Sequence, residues 1–375
     1  MALQCAMRIL VAADSFKDAL PAPGVCAAIA EGLRNSGAHT IEECPLADGG
    51  EGTLDVLTRA LNLEPIAVDA LDPLRRPRRV HFGVDEAQHR AFIELAQISG
   101  LQLLTDGERN ALDTTTFGTG QLIAAATAYG VESIVLTIGG SATNDAGIGM
   151  AAAFGWRFLD EHGSELPPVG RSLASIRQIV APTVARRLPK IDVLCDVVNP
   201  LFGPSGAAHV YAKQKGADDA DIAQLDNGLR QLAKLVQRQH LSDVSPATPG
   251  AGAAGGVGYG AMVFAHATLE RGIDYLLDLV DFDAALQHAD LVITGEGRID
   301  AQTLHGKLIH GVCRRAAQYQ VPVIALCGVL RAEPEAVHAI GLHAAYCIND
   351  ANDEADLLAK TAERLTATAA RLSLG

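Results

Sequence analysis

The chain has 375 residues, 49% of them hydrophobic, 20% charged and only 4% aromatic, with a formal net charge of −14. Such a length asks for more than one core, the composition excludes a disordered or fibrous chain, and the charge excludes a basic footprint on nucleic acid. The seven cysteines (Cys5, Cys26, Cys44, Cys195, Cys313, Cys327 and Cys347) are scattered, odd in number and without CxxC spacing. This argues against a disulfide framework or a structural zinc site and for a reducing cytoplasm.

The first apolar run, RILVAADS, is too short to span a bilayer and reads as a buried parallel strand closing on Asp14 and Ser15. PAPGVCAAIAEGLRNSG follows with apolar residues at helical spacing and Gly37 as its stop signal. HTIEECPLADGGEGT is a second strand emptying into a Gly-rich turn, and TLDVLTRAL is a second helix. Alternation of strand and helix predicts a doubly wound sheet with ligands at the carboxyl ends of its strands.

From about residue 65 the texture changes. EPIAVDALD, RRVHFGVD and RAFIELA predict strands without long helices between them, as in an antiparallel or mixed sheet. Arg75, Arg76, Arg78 and Arg79 read as a solvated turn. TFGTGQLIAAATAYG is a helix, ESIVLTIGG a strand, NDAGIGMAAAFGW another helix, and IDVLCDVVNP a strand closing on Asp196 and Asn199. ADIAQLDNGLRQLAKLVQRQH is a long amphipathic helix, and SPATPGAGAAGGVGYGA reads as a flexible or tightly turning loop. The βα texture returns in ADLVITGEGRID, HGVCRRAAQYQ, VPVIALCG and GLHAAYCIND. The expectation is one domain formed by both chain ends, 1–66 and 284–375, with a second α/β domain, 67–283, inserted between them.

At least four Gly-rich turns, each read as lying at a strand end, carry polar residues: ADGGEGT, IGGSATND, GAGAAGGVG and ITGEGRID. Alone, each is accounted for by a tight turn. Together they suggest an extended ligand with several oxygens. GxxxxGK[ST] is absent, and the GxGxxG at Gly250, Gly252 and Gly255 has no strand leading into it, which disfavours nicotinamide binding. Backbone N–H groups cradle phosphate without a loop lysine, provided cations come from elsewhere. Candidates are Lys17, Lys213, Lys215, Arg298 and Lys307; each alone reads as a surface side chain, and Lys17 and Arg298 gain weight from their places just beyond strands of one sheet. Asp14, Asp48, Glu51, Asp145, Asp196, Glu296 and Asp300 also fall at strand ends, with Asp145 equally suited to capping a helix. No HExxH or GxSxG occurs. Acids, cations and backbone donors together describe phosphoryl transfer.

The stretches ADSFK, PLADGGEG, TFGTGQLI, TIGGSATNDAGIGM, CDVVNPLFGPSGAA, QKGA, GAGAAGGVGYG and ITGEGRIDAQTLHGK resemble, in order and along nearly the whole chain, the type I glycerate kinase family. Ala13 departs from the Pro that many relatives carry. The resemblance implies a flavodoxin-like domain made by the two chain ends and an inserted domain similar to the restriction-endonuclease fold. It implies transfer of the γ-phosphoryl of ATP to D-glycerate with Mg²⁺, with 2-phosphoglycerate favoured as product in glyoxylate or organic-acid breakdown. By motif it carries over Asp14, Ser15, Lys17, Asp48, Gly49, Gly50, Ser141, Asn144, Asp145, Asp196, Asn199, Glu296 and Arg298. The roles inferred for them put Asp196, Lys17 and Arg298 at the chemistry. Ser15, Asp48, Gly49, Gly50, Ser141, Asn144, Asp145 and Asn199 fall to the substrates, and Asp48 and Glu296 to the metal. No membrane partner is expected, and the chain is taken as monomer or homodimer. A kinase or phosphatase for another hydroxy acid and a non-catalytic sensor of small acids stand as alternatives.

Overall fold

A computed structural model describes residues 6–183, 187–299, 308–349 and 360–372; Asp300 and Lys307 lie outside the described residues. The chain forms two compact units, one of Met1–Asp48, Asp55–Leu61 and Ile273–Gly375, the other of Gly49–Leu54 and Asn62–Gly272. In chain order the strands are β1 (Arg8–Val11), β2 (Thr40–Glu43), β3 (Glu64–Leu71), β4 (Pro77–Asp85), β5 (Arg90–Glu94), β6 (Ser133–Thr137) and β7 (Arg157–Leu159). They continue with β8 (Gln178–Val180), β9 (Lys190–Leu194), β10 (Thr268–Glu270), β11 (Leu291–Ile299), β12 (Val323–Leu330) and β13 (Ala344–Cys347).

The first unit is built on a sheet in the order β2-β1-β11-β12-β13, every pair parallel. Counted within the unit this is the doubly wound 2-1-3-4-5 order, whose ligand crevice lies where the winding reverses, between its first and third strands. The continuous apolar run of β1 follows from burial on both faces. Leu10 and Ala12 join a core with Ile309, Val312 and Ala316 of helix Leu308–Gln318. The alternate residues Ile9, Val11 and Ala13 join another with Val25, Ile29 and Leu33 of helix Ala22–Ser36 and Leu365 of helix Thr361–Ala370.

The second unit carries a mixed sheet in the order β10-β9-β6-β5-β4-β3. β3, β4 and β5 run antiparallel, as strands without intervening helices require, and β5, β6, β9 and β10 are parallel. Helix Asp219–Arg238 starts on a capping box in which the Asp218 carboxylate accepts from Asp221 N–H. Arg76, in the predicted solvated turn, pairs there with Asp72 and Glu108. One expectation changes. Half of the supposed loop 245–261 belongs to a helix, Ala253–Ala265, broken by positive φ at Ala254, Gly255 and Gly256, and Val257 to Ala261 are buried. Its small residues serve close packing. A Cβ on Gly255 would stand 2.0 Å from the Thr143 carbonyl oxygen, and one on Gly260 2.2 Å from that of Ala146.

Candidate active site

In the first unit, β1 and β11 deliver side chains to the switch point. Asp14 N–H donates to the Gly295 carbonyl at 2.9 Å and Ser15 N–H to the Asp14 carboxylate at 2.6 Å, which fixes the turn after β1 against β11. A Cβ on Gly297 would come within 3.5 Å of the Lys17 backbone nitrogen. ADSFK and GEGR therefore run side by side, and Asp14, Ser15, Lys17, Glu296 and Arg298 share one end of the sheet. Glu296 is buried, while Lys17, Asp48 and Arg298 are exposed. Burial raises the Asp14 carboxyl well above its ordinary range, and the carboxylates of Asp48 and Glu296 push it further the same way. The site gathers negative charge that a cation would relieve.

In the second unit, the parallel strands β5, β6 and β9 end on Glu94, on the TIGGSATNDAG loop, and on Cys195 and Asp196. Glu94 is buried and accepts from Gly52 N–H at 3.2 Å and Leu54 N–H at 2.9 Å, holding the GGEG turn at the start of helix Thr53–Leu61. That turn abuts the loop after β6. Gly139 N–H donates to the Gly49 carbonyl at 3.1 Å, and a Cβ on Gly139 would stand 2.7 Å from Gly50 Cα. Only glycines let two backbones come this close. Gly49, Gly50 and Ser141 are thereby brought together on one edge.

Asp145 is fully buried and engaged throughout. Its Oδ2 accepts from Thr116 N–H (2.8 Å), Thr116 Oγ1–H (2.8 Å) and Gly149 N–H (3.2 Å), and its Oδ1 from Gly147 N–H (3.0 Å). Burial raises its carboxyl while these bonds oppose the shift. The carboxylate anchors the loop to the start of helix Phe117–Tyr129. Asn199 is similarly occupied, donating to Ser205 O at 2.8 Å and accepting from Tyr211 Oη–H at 2.7 Å within the NPLFGPSG turn. Asp196 is half-buried, its Oδ2 2.7 Å from where a Cβ on Gly272 would lie. Asn144 differs from both: it is fully buried, and among the described residues neither its Oδ1 nor its Nδ2 has a hydrogen-bond partner.

Sequence reasoning ranks Lys215 with surface lysines, yet it is 2% exposed and its ammonium donates to Ser141 Oγ and to the Thr143 carbonyl, both at 2.7 Å. Gly216, at φ 92°, ends the short Lys213–Lys215 turn and tucks the side chain inward. Burial pushes its pKa down to about 7, against the pull of Asp145. Ser141 is thus backed by a buried amine. The Gly after KQK was the available signal, and it does not distinguish an inward lysine from an outward one.

Backbone donors, carboxylates and cations thus gather at the carboxyl ends of the strands in each unit's own sheet. Residues 9–374 match the profile of the glycerate kinase family. The glycerate kinase of Bacillus subtilis (strain 168) is 44% identical over 346 residues, covering 91% of this chain and 90% of that protein. The glycerate 2-kinase of Escherichia coli (strain K12) is 39% identical over 91% of this chain and 90% of its own length. A crystal structure of a candidate glycerate kinase 2 from Salmonella typhimurium LT2 superimposes with a TM-score of 0.81 at 40% identity, covering 98% of this chain and 97% of that one. The chain belongs to the glycerate kinase family.

Proposed function

We propose that the protein transfers the γ-phosphoryl of ATP to D-glycerate, at the 2-hydroxyl in preference to the 3-hydroxyl, in the cytoplasmic breakdown of glyoxylate or related organic acids. The observation that carries the reading is that ADSFK, in the turn after β1, lies beside GEGR, on β11, at the switch point of a family member. In the reaction the acceptor oxygen forms a bond to phosphorus as the bond to the β-phosphate oxygen breaks. The hydroxyl proton leaves, and ADP departs.

Asp196 is the group to orient or take that proton, as the half-buried carboxylate at the end of β9. Lys17 supplies a point charge to phosphoryl oxygens, and Arg298 a planar fork matched to a carboxylate. Ser141 and Asn144, with the N–H groups of their loop and of Gly49 and Gly50, supply neutral donors. Asp145 acts by keeping that loop in place, and Asn199 by bracing the NPLFGPSG turn after Asp196.

Among the described residues no group of three or more His, Cys, Asp or Glu side chains is placed to hold a metal ion alone. Mg²⁺ asks for less: one or two carboxylates, with water and phosphate oxygens completing its shell. The like-charged neighbours Asp14, Asp48 and Glu296 fit that requirement, with Asp48 and Glu296 as the residues to hold it. When bound, it would neutralise charge on the phosphates of ATP.

No helix among the described residues is long and apolar enough to cross a membrane. The described cysteines are all free, in keeping with a reducing setting. The test is ATP consumption in the presence of D-glycerate, with phosphorus and proton NMR of the product. Phosphate on C3 would refute the preferred position, and consumption stimulated by other hydroxy acids but not by glycerate would refute the substrate.

A further inference from the structure

We propose that Lys215 is a positioning residue that turns the Ser141 hydroxyl into a charged-state-dependent donor for the carboxylate of the acid substrate. The inference rests on the functional reading above and adds to it the cation that the TIGGSATNDAG loop itself lacks.

The geometry is specific. The ammonium occupies a lone pair of Ser141 Oγ at 2.7 Å, so the hydroxyl hydrogen must point elsewhere, and Ser141 itself is 6% exposed. A second bond, to Thr143 O at 2.7 Å, pins the amine under the loop and leaves one N–H unassigned. Next in the chain, Asn144 is buried with both side-chain polar atoms unpartnered among the described residues. Buried polar groups are nearly always satisfied, so an orphaned amide one residue from the carbonyl that Lys215 bonds marks a place prepared for a polar ligand. A hydroxy acid meets those demands: its carboxylate accepts from the Ser141 hydroxyl and the Asn144 Nδ2–H, a hydroxyl donates to Asn144 Oδ1, and the ammonium behind Ser141 balances the carboxylate's charge.

The charged groups around Lys215 are few. Asp145 is the charge that acts on it, and that carboxylate is spent on four bonds to its own loop. Arg109, whose carbonyl would lie 2.2 Å from a Cβ on Gly216, turns its guanidinium to Asp106 at 2.9 Å. With its pKa brought to about 7, the amine is partly neutral just above neutrality, and an arriving anion recharges it. Acid binding at pH 8 therefore takes up a proton.

Four preparations test this: wild type, Lys215→Met, Ser141→Ala and the double variant Lys215→Met/Ser141→Ala. Met conserves the buried volume and removes the charge, and Trp156 fluorescence checks that the second unit still folds. The expected result is a KM for D-glycerate raised about tenfold or more with the KM for ATP nearly unchanged, and a double variant no worse than the poorer single one. Calorimetry of D-glycerate binding in two buffers of different ionisation enthalpy should show proton uptake at pH 8 in wild type and none in Lys215→Met. Equal KM values, equal proton counts or additive single effects overturn the proposal. A rise confined to the KM for ATP assigns the amine to phosphate and overturns it as well. If wild type binds D-glycerate with a proton uptake that Lys215→Met lacks but consumes no ATP, the kinase reading falls and the assignment of Lys215 to the acid's carboxylate stands. If it turns over normally while Lys215→Met matches it, only the inference falls. Absence of both binding and turnover removes both.

Discussion

Asp145 offers the sharpest separation between holding a loop and doing chemistry. Replacing it with Ala strands four donors in a dry interior: Thr116 N–H, Thr116 Oγ1–H, Gly147 N–H and Gly149 N–H. At roughly 1–3 kcal/mol for each unsatisfied group, the loss is about 4 kcal/mol or more. Asn fares better. Its carbonyl can keep the three bonds made by Oδ2, while its amide meets Gly147 N–H, donor against donor, in place of the 3.0 Å bond to Oδ1. One such conflict costs about 1–3 kcal/mol. The assay is built into the chain, because its single tryptophan, Trp156, lies in the second unit with its ring centroid 5.1 Å from that of Phe264. Urea unfolding followed by Trp156 fluorescence should show a midpoint lowered by more than about 1 M in Asp145→Ala and clearly less in Asp145→Asn. A general base would behave differently: Asp145→Asn would keep wild-type stability and lose about 10²–10⁴ in turnover. That outcome would refute the anchoring argument, as would equal destabilisation by the two substitutions.

Asp196→Asn should lower turnover about 10²–10⁴-fold with little change in the unfolding midpoint, and near-normal steady-state rates would remove Asp196 from the base role. Gly255→Ala places a Cβ at φ 71° and 2.0 Å from Thr143 O; backbone strain and overpacking should cost about 2–4 kcal/mol and raise the KM for the acid. Unchanged Trp156 unfolding would show that the contact relaxes freely. Lys215 has a folded-state pKa below its unfolded one. Between about pH 7 and 10 the unfolded chain therefore binds the extra proton, and stability rises with pH. The stability difference between wild type and Lys215→Met, measured across that window, should shift in favour of wild type as pH increases; a flat difference would contradict the buried-amine assignment.

Much of the fold is legible because the strands of a two-sided sheet are apolar throughout and stop on polar residues. RILV breaking at Asp14 marks the end of β1, whereas GEGR, read as a turn with Arg298 just beyond its strand, continues β11 as far as Ile299 and pairs with β12. The mixed sheet is legible for a related reason: 64–71, 77–85 and 90–94 leave no room for crossover helices. Residues 245–261 were obscured because Gly and Ala hide helical periodicity. What shapes that segment is the closeness of Thr143 and Ala146, a contact across more than a hundred residues. Lys215 was obscured for a similar reason. Nothing in QKGA distinguishes an amine facing water from one facing Ser141; the difference is made by the positive φ of Gly216 and by the backbone of residue 109 beside it. Asp145 as cap or catalyst was open in the sequence, since both roles use the same residue at the same strand end.

The strand order of the first unit also dictates a schedule. β1 can pair with β2 soon after both leave the ribosome, but its other neighbour, β11, begins at Leu291. At roughly 5–20 residues per second, synthesis separates those two partners by about 15–60 s. Most of the second unit, 62–272, is contiguous and emerges inside that interval. A chain stalled before Leu291 therefore exposes an unpaired apolar edge on β1, the kind of surface that chaperones hold.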